Sequence, residues 1–228
     1  MKILNWTLSI TLLFVLVSSD ASAQGDTGRP LPHYLFPGFT KGVVRMKSGA
    51  TFSSSLNYNM VDEIMVTELN GTYRYATRPA EIDTILLVYK KFVPVGQAFY
   101  EVIVDGPVTF LLQNKSNLTP KGSDIGYGSK SRGVAPTSYT RYELTNVCYQ
   151  YNDVVNIDLP PNVEVTPASF CWVKTGNIME KFNTENQFLK IFPERKAQLK
   201  EFIKKEKLNL RESEDLFKLG NFCNEIMN

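Results

Sequence analysis

The sequence predicts an α+β fold: an antiparallel β-sandwich or barrel of about ten strands followed by a C-terminal helical segment. Three observations predict it. Between Phe36 and Val173, short runs rich in Val, Ile, Thr, Tyr and Phe recur between turn residues. No helical stretch separates them, so nothing is available for the crossover that parallel strands need. After Gly176 the spacing of apolar residues changes to threes and fours.

The strands follow in order. Thr51 to Tyr58 alternates, with Phe52, Leu56 and Tyr58 opposite Ser53, Ser55 and Asn57. Val61 to Leu69 comes next, and Asn70-Gly71, the strongest short hairpin signal, leads into Thr72 to Ala76. Ile82 to Tyr89, Lys91 to Val95, Ala98 to Val104 and Val108 to Gln113 continue the series, the last two joined by the turn pair Asp105-Gly106. Tyr139 to Tyr151 and Ser169 to Lys174 complete it.

Thr184 is placed to cap a short helix ending near Phe192. Pro193 suits the first turn of the next, since that position leaves an amide hydrogen unpaired anyway. This second helix runs to about Lys207, with Leu199, Phe202 and Ile203 on one face and Lys196, Lys200 and Lys204 on the other. A last helix aligns Leu216, Leu219, Phe222, Cys223 and Ile226 as a narrow apolar stripe. Helices this short are marginal alone and must pack on each other and on the sheet.

At the N-terminus, Met1 and Lys2 precede an uncharged, mostly apolar run from Ile3 to Val17, and Ala21-Ser22-Ala23 supplies small residues. This is the pattern of a secretory signal peptide over 1–23, cleaved after Ala23. The apolar run is shorter than the ~20 residues that span a bilayer, so no transmembrane span is expected in the mature chain. The expected organisation is then a flexible leader over 24–35, an antiparallel β domain over 36–176 and a helical segment over 177–228 packed on it.

The chain has 228 residues, a net charge of +2 and 43% hydrophobic residues, a composition suited to a folded globular protein. So small a charge excludes a dedicated nucleic-acid binder. The three cysteines, Cys148, Cys171 and Cys223, match no metal-ligand spacing, and the single histidine, His33, stands far from them. No metal or cofactor is expected. An odd number leaves at least one thiol unpaired within the chain.

Lys41-Gly42-Val43-Val44, Lys47-Ser48-Gly49, Leu56-Asn57-Tyr58-Asn59 and the run Ala98 to Gly106 form one set of motifs. The tail adds Ile191-Phe192-Pro193-Glu194, Ile203 to Leu208 and Glu214-Asp215-Leu216. In these, over nearly the whole mature length, the chain resembles a group of uncharacterised exported proteins of the Bacteroidetes type. The resemblance implies a periplasmic or outer-membrane-associated setting; it implies no activity and no site residue.

The stretch Asn114 to Thr140 is the most unusual, rich in Gly and Ser and too long for a plain connector. Around it stand Lys115, Lys121, Lys130, Arg132 and Arg141 against Asp124 alone. Lys115, Lys121, Tyr127, Lys130 and Arg132 are therefore the candidate binding residues, for an anionic ligand or an acidic protein face. A solvated loop is the plainer reading. Lys130 follows a serine, so the phosphate-loop pattern fails.

Cys148 and Cys171 flank Pro160-Pro161 roughly symmetrically, and either face one another as a cross-strand disulfide or lie buried as free thiols. His33 reads as a surface residue of the leader, so no catalytic cysteine is expected. Glu101 and Asp83, in apolar strands, are the carboxylates a hydrolase could use; in an alternating strand Glu101 instead faces water with Tyr100 facing in. The leading expectation is a non-enzymatic binding or assembly module of the bacterial cell envelope. An envelope hydrolase using carboxylates and a structural subunit docking through its C-terminal helices are the alternatives.

Overall fold

The computed structural model describes residues 30–121, 123–124, 130–131 and 154–227. Eight strands run with only a single 3-10 turn (Pro79–Glu81) as helix among them: β1 (Thr40–Met46), β2 (Thr51–Asn59), β3 (Ile64–Leu69), β4 (Thr72–Tyr75), β5 (Ile82–Leu87), β6 (Lys90–Val95), β7 (Ala98–Val104) and β8 (Val108–Gln113). Then come β9 (Ser116–Pro120), β10 (Ser123–Asp124), β11 (Lys130–Ser131), β12 (Val163–Pro167), β13 (Phe170–Thr175) and β14 (Ile178–Phe182). Three helices close the chain: α1 (Glu185–Ile191), α2 (Lys196–Glu206) and α3 (Ser213–Met227).

Ten strands form one antiparallel sheet in the order β14-β13-β8-β7-β6-β5-β1-β2-β3-β4. The first four make a meander; β5 returns to the free side of β1 and starts a second meander in the opposite direction. The sheet does not close, and it curls instead. Tyr58 of β2 stacks on Phe92 of β6 at 5.8 Å, although three strand spacings separate them in the sheet. Inside the curl, Val44, Leu56, Tyr58, Met65, Ile85, Phe92 and Phe99 form one core.

The same face continues across β8, β13 and β14, where the helices cover it. Phe110, Val173, Phe182, Phe188, Leu199 and Leu219 make a second core there. Helix α3 lies so close to β7 that a methyl group at Gly220 would stand 2.7 Å from Val104 Cγ2. The lack of a side chain is what permits the approach. Thr184 caps α1 as expected, its hydroxyl accepting from the Gln187 amide at 3.3 Å.

A third core lies on the opposite face of β3 and β4. Leu31, Tyr34 and Phe39 pack there with Val155 and Ile157 against Ile64 and Val66. Asn57 ties this cover down: its side-chain amide donates to the carbonyls of Phe36 and Gly38, at 2.9 and 3.0 Å, and its oxygen accepts from the Phe36 amide. Residues 30–35, read from sequence as part of a flexible leader, are thus packed. His33 is 1% exposed, which corrects its reading as a surface residue. Its neighbours Tyr34 and Leu31 are apolar enough to draw the segment inward.

Three further differences have local causes. The run Ile82 to Tyr89 is not one strand: Val88 and Tyr89 turn the chain at φ 49° and 63°. No Gly or Asn marks that turn, whereas Asn70-Gly71 turns in the same way at 52° and 75°. Val61 to Glu63 forms a turn before β3, because Asn59 Oδ1 accepts the amides of Val61 and Asp62. Strand β14 extends the sheet beyond Gly176 into the segment assigned to helices. The strand expected over Tyr139 to Tyr151 lies outside the described residues.

Candidate functional site

Two places concentrate chemistry: the root of a two-stranded arm, and an open groove on the sheet face away from the helices. The arm arises because β8 and β13 do not end their pairing at the sheet. Beyond Phe170–Gln113, the Ala168 amide donates to the Lys115 carbonyl at 2.8 Å, and β9 then pairs with β12 from Ser116–Pro167 to Pro120–Val163. Lys121 N to Asn162 O, 2.8 Å, follows at the far end. The first residues of the stretch taken for a loop are therefore a strand. Ser116-Asn117-Leu118-Thr119-Pro120 has too little apolar alternation to announce one, and its stability comes from its partner strand.

At the arm's root, consecutive amide side chains grip two buried glutamates. Gln113 Nε2 donates to Glu63 Oε1, while Lys115 Nζ reaches Glu63 Oε2 at 2.7 Å. Asn114 Nδ2 donates to Glu101 Oε2 at 2.9 Å, and Lys90 Nζ reaches Glu101 Oε1 at 2.5 Å. Trp172 Nε1 donates to Gln113 Oε1 at 2.9 Å, and its ring stacks on Tyr100 at 5.9 Å. Both carboxylates are almost fully buried, and each oxygen accepts a bond. Bonds to every oxygen hold the two carboxylates immobile.

Strand pairing sets this arrangement. Residues opposite one another share a face, so Phe92, Glu101, Leu112, Cys171 and Phe182 form one inward row. Lys91, Val102, Leu111, Trp172 and Lys181 form the neighbouring outward row. Glu101 therefore faces the core rather than water, opposite to the simple alternation read from sequence. Nearby, Tyr58 is fully buried; burial first, then the negative charge of Glu63, pushes its hydroxyl far above the usual phenol range.

The expected binding residues are dispersed. Lys115 is engaged with Glu63 at the arm root. Lys121 is exposed at the arm's far end. Lys130 pairs through its backbone with Asp124 in the small ribbon β10–β11. The side chain of Lys130, together with Tyr127 and Arg132, lies outside the described residues, as does Cys148, the other half of the cross-strand disulfide considered above. Cys171 is a free, buried thiol whose Sγ donates to the Leu210 carbonyl at 3.7 Å. Burial pushes it up to about 11. Among the described residues, no group of three or more His, Cys, Asp or Glu side chains could hold a metal ion.

The groove went unread in the sequence because its floor resembles core. Val93 and Val95 of β6 alternate with Phe92 as any half-buried strand would. The ladder between β5 and β6 stops at Ile85–Phe92, and Pro94 follows, with no N–H to donate. Val93–Val95 are thus paired with β7 alone. Here a cavity of about 350 Å³ opens, floored by Val93, Val102, Leu111 and Met179. Lys47, Lys91 and Lys174 rim it, with Asp83 and Asp105. Lys91 is bound to Asp105 at 2.6 Å; among the described residues Lys47 and Lys174 form no ion pair. Asp83, the second candidate carboxylate, accepts from the Thr84 hydroxyl and lies on this rim, away from Glu101.

No protein-family model, curated protein or solved structure matches this chain. No helix among the described residues is long and apolar enough to cross a membrane.

Proposed function

We propose that the protein is a non-enzymatic binding or assembly module of the bacterial cell envelope, periplasmic or outer-membrane-associated, which holds a partner on the open face of its sheet. The observation that carries this reading is the groove beside Pro94, where two ammonium groups, without ion-pair partners among the described residues, stand over an aliphatic floor. A floor of that kind favours apolar contact, and unpaired rim charges select the partner by sign. The signal-peptide pattern over 1–23 supports export.

The rival readings draw less support. A hydrolase needs a carboxyl group able to meet substrate, and both oxygens of Glu101 are occupied by Lys90 and Asn114. A subunit docking through its last helix needs the apolar stripe of that helix open, and Leu216, Leu219 and Cys223 are buried within the protein's own core. The test is crosslinking and affinity capture of the tagged mature protein from its own envelope. A near-stoichiometric partner crosslinked through residues of the groove supports the reading. Absence of any partner under several crosslinkers would overturn it.

A further inference from the structure

Resting on that reading, we infer that the groove's partner is an extended, acidic segment of another protein, with aliphatic side chains between two carboxylates. The inference follows from how the groove's charges and apolar surface are distributed. Lys91 is already neutralised by Asp105, so the charges left to recognise a ligand are Lys47 and Lys174, with Asp83 near the first.

Lys47 lies beside the β5 end of the groove, its amide donating to the Glu81 carbonyl at 2.9 Å; Lys174 stands on β13. Lys47 continues β1, and from β1 to β13 there are five strand spacings, about 24 Å across the strands. An extended chain of about six residues, together with the reach of the two lysine side chains, covers that distance. Carboxylates at its two ends would meet Lys47 and Lys174, and aliphatic side chains between them would lie on Val93, Val102, Leu111 and Met179. Methionine adapts to several shapes, which suits a peptide floor.

Two features favour a peptide over an acidic polysaccharide. The described floor is aliphatic, whereas sugar rings are usually held against aromatic faces; the nearest aromatic pair, Tyr100 and Trp172, stack on each other. At the Lys47 end, Val93–Val95 also lack a neighbouring strand on the β5 side, which leaves main-chain groups there open to a hydrogen bond from a peptide crossing them.

The probe is a fluorescein-labelled peptide with aspartate at each end of a four-residue valine–threonine core. A second peptide carries lysine at the ends, and polygalacturonate represents acidic polysaccharide. Lys47 and Lys174 are exposed, so K47E, K174E and the double variant are expected to fold as the wild type does, which circular dichroism checks. The expected result is salt-sensitive binding of the acidic peptide, at least tenfold weaker in the double variant, which in turn takes up the lysine-ended peptide. No binding by the wild type, equal binding of both peptides, or unchanged affinity in the double variant overturns the inference. Preferential binding of polygalacturonate overturns the peptide class. Envelope capture by the double variant separates the two levels of the argument. A partner still captured at wild-type yield docks elsewhere, which removes the groove while the binding-module reading stands. No partner for either protein removes that reading itself.

Discussion

Asn224, near the end of α3, hydrogen-bonds both main-chain groups of Val108: its Oδ1 accepts from the amide at 2.8 Å and its Nδ2 donates to the carbonyl at 2.9 Å. One side chain thus fastens the last helix to the turn between β7 and β8. Gly106 in that turn is small enough to admit it, since an added methyl would stand 2.9 Å from the Asn224 amide. One turn back on the helix, Gly220 allows contact with Val104. Asn224→Ala is expected to lose about 1–3 kcal/mol by leaving backbone groups unpaired. Gly220→Ala is expected to lose about 1–3 kcal/mol by overpacking, outweighing its gain in helix propensity of about 1 kcal/mol. Urea unfolding measures both as a lower midpoint with an unchanged slope.

Lys90 and Glu101 should behave as a unit. Lys90→Met leaves Glu101 buried with only Asn114 as partner. The expected loss is about 2–3 kcal/mol, below the range for a fully buried pair because the Lys90 side chain is 34% exposed. Replacing both by methionine should cost less than Lys90→Met alone. A double-mutant cycle in urea checks this, and additive losses would show the pair to be uncoupled.

His33 should make the fold acid-sensitive. Burial, only partly opposed by Asp158, lowers it from 6.5 to about 4. The unfolded chain then binds the proton more readily between those values, so the contribution is complete above pH 6.5 and lost as pH falls to about 4. The loss amounts to about 3 kcal/mol. Carboxylates titrate in part of the same window, so the informative quantity is the difference between wild type and His33→Gln. The variant should show a shallower decline of stability from pH 6.5 to 4; equal slopes would refute the assignment.

The turn at Val88-Tyr89 holds two residues in the left-handed region, one of them β-branched and the other fully exposed. Replacing the pair by Asn-Gly should stabilise the protein by about 1 kcal/mol, seen as a higher thermal midpoint. An unchanged or lower midpoint would mean that Val88 or Tyr89 makes contacts worth the strain.

Cys171 and Cys223 should resist thiol reagents in the folded protein at pH 8. Both are buried, and burial pushes them up to about 11 and about 12. In denaturant without reductant, three reactive thiols are expected, because Cys171 and Cys223 are both free and so leave Cys148 no partner within the chain. A count of one would demonstrate a disulfide.

The alternation within strands, the turn pair Asn70-Gly71, the Thr184 cap and the apolar stripe of the last helix were all legible in the sequence. Each depends on side-chain periodicity or local backbone preference, which act over a few residues. The α+β class follows from them. Which carboxylate is buried, which lysine is free and where the sheet parts were decided only by tertiary structure. Glu101 looks alike in sequence whether it faces water or core; the pairing of Phe92, Glu101 and Leu112 turns it inward, where Lys90 and Asn114 must compensate its charge. Lys115 stands in a basic stretch, yet Glu63, fifty-two residues earlier, engages it. Lys47 and Lys174 stand in no common motif, and they share a groove because the sheet brings the end of β1 and β13 onto one face. Such long-range pairing depends on strand register and on burial summed over the whole chain, quantities that no short window of sequence contains.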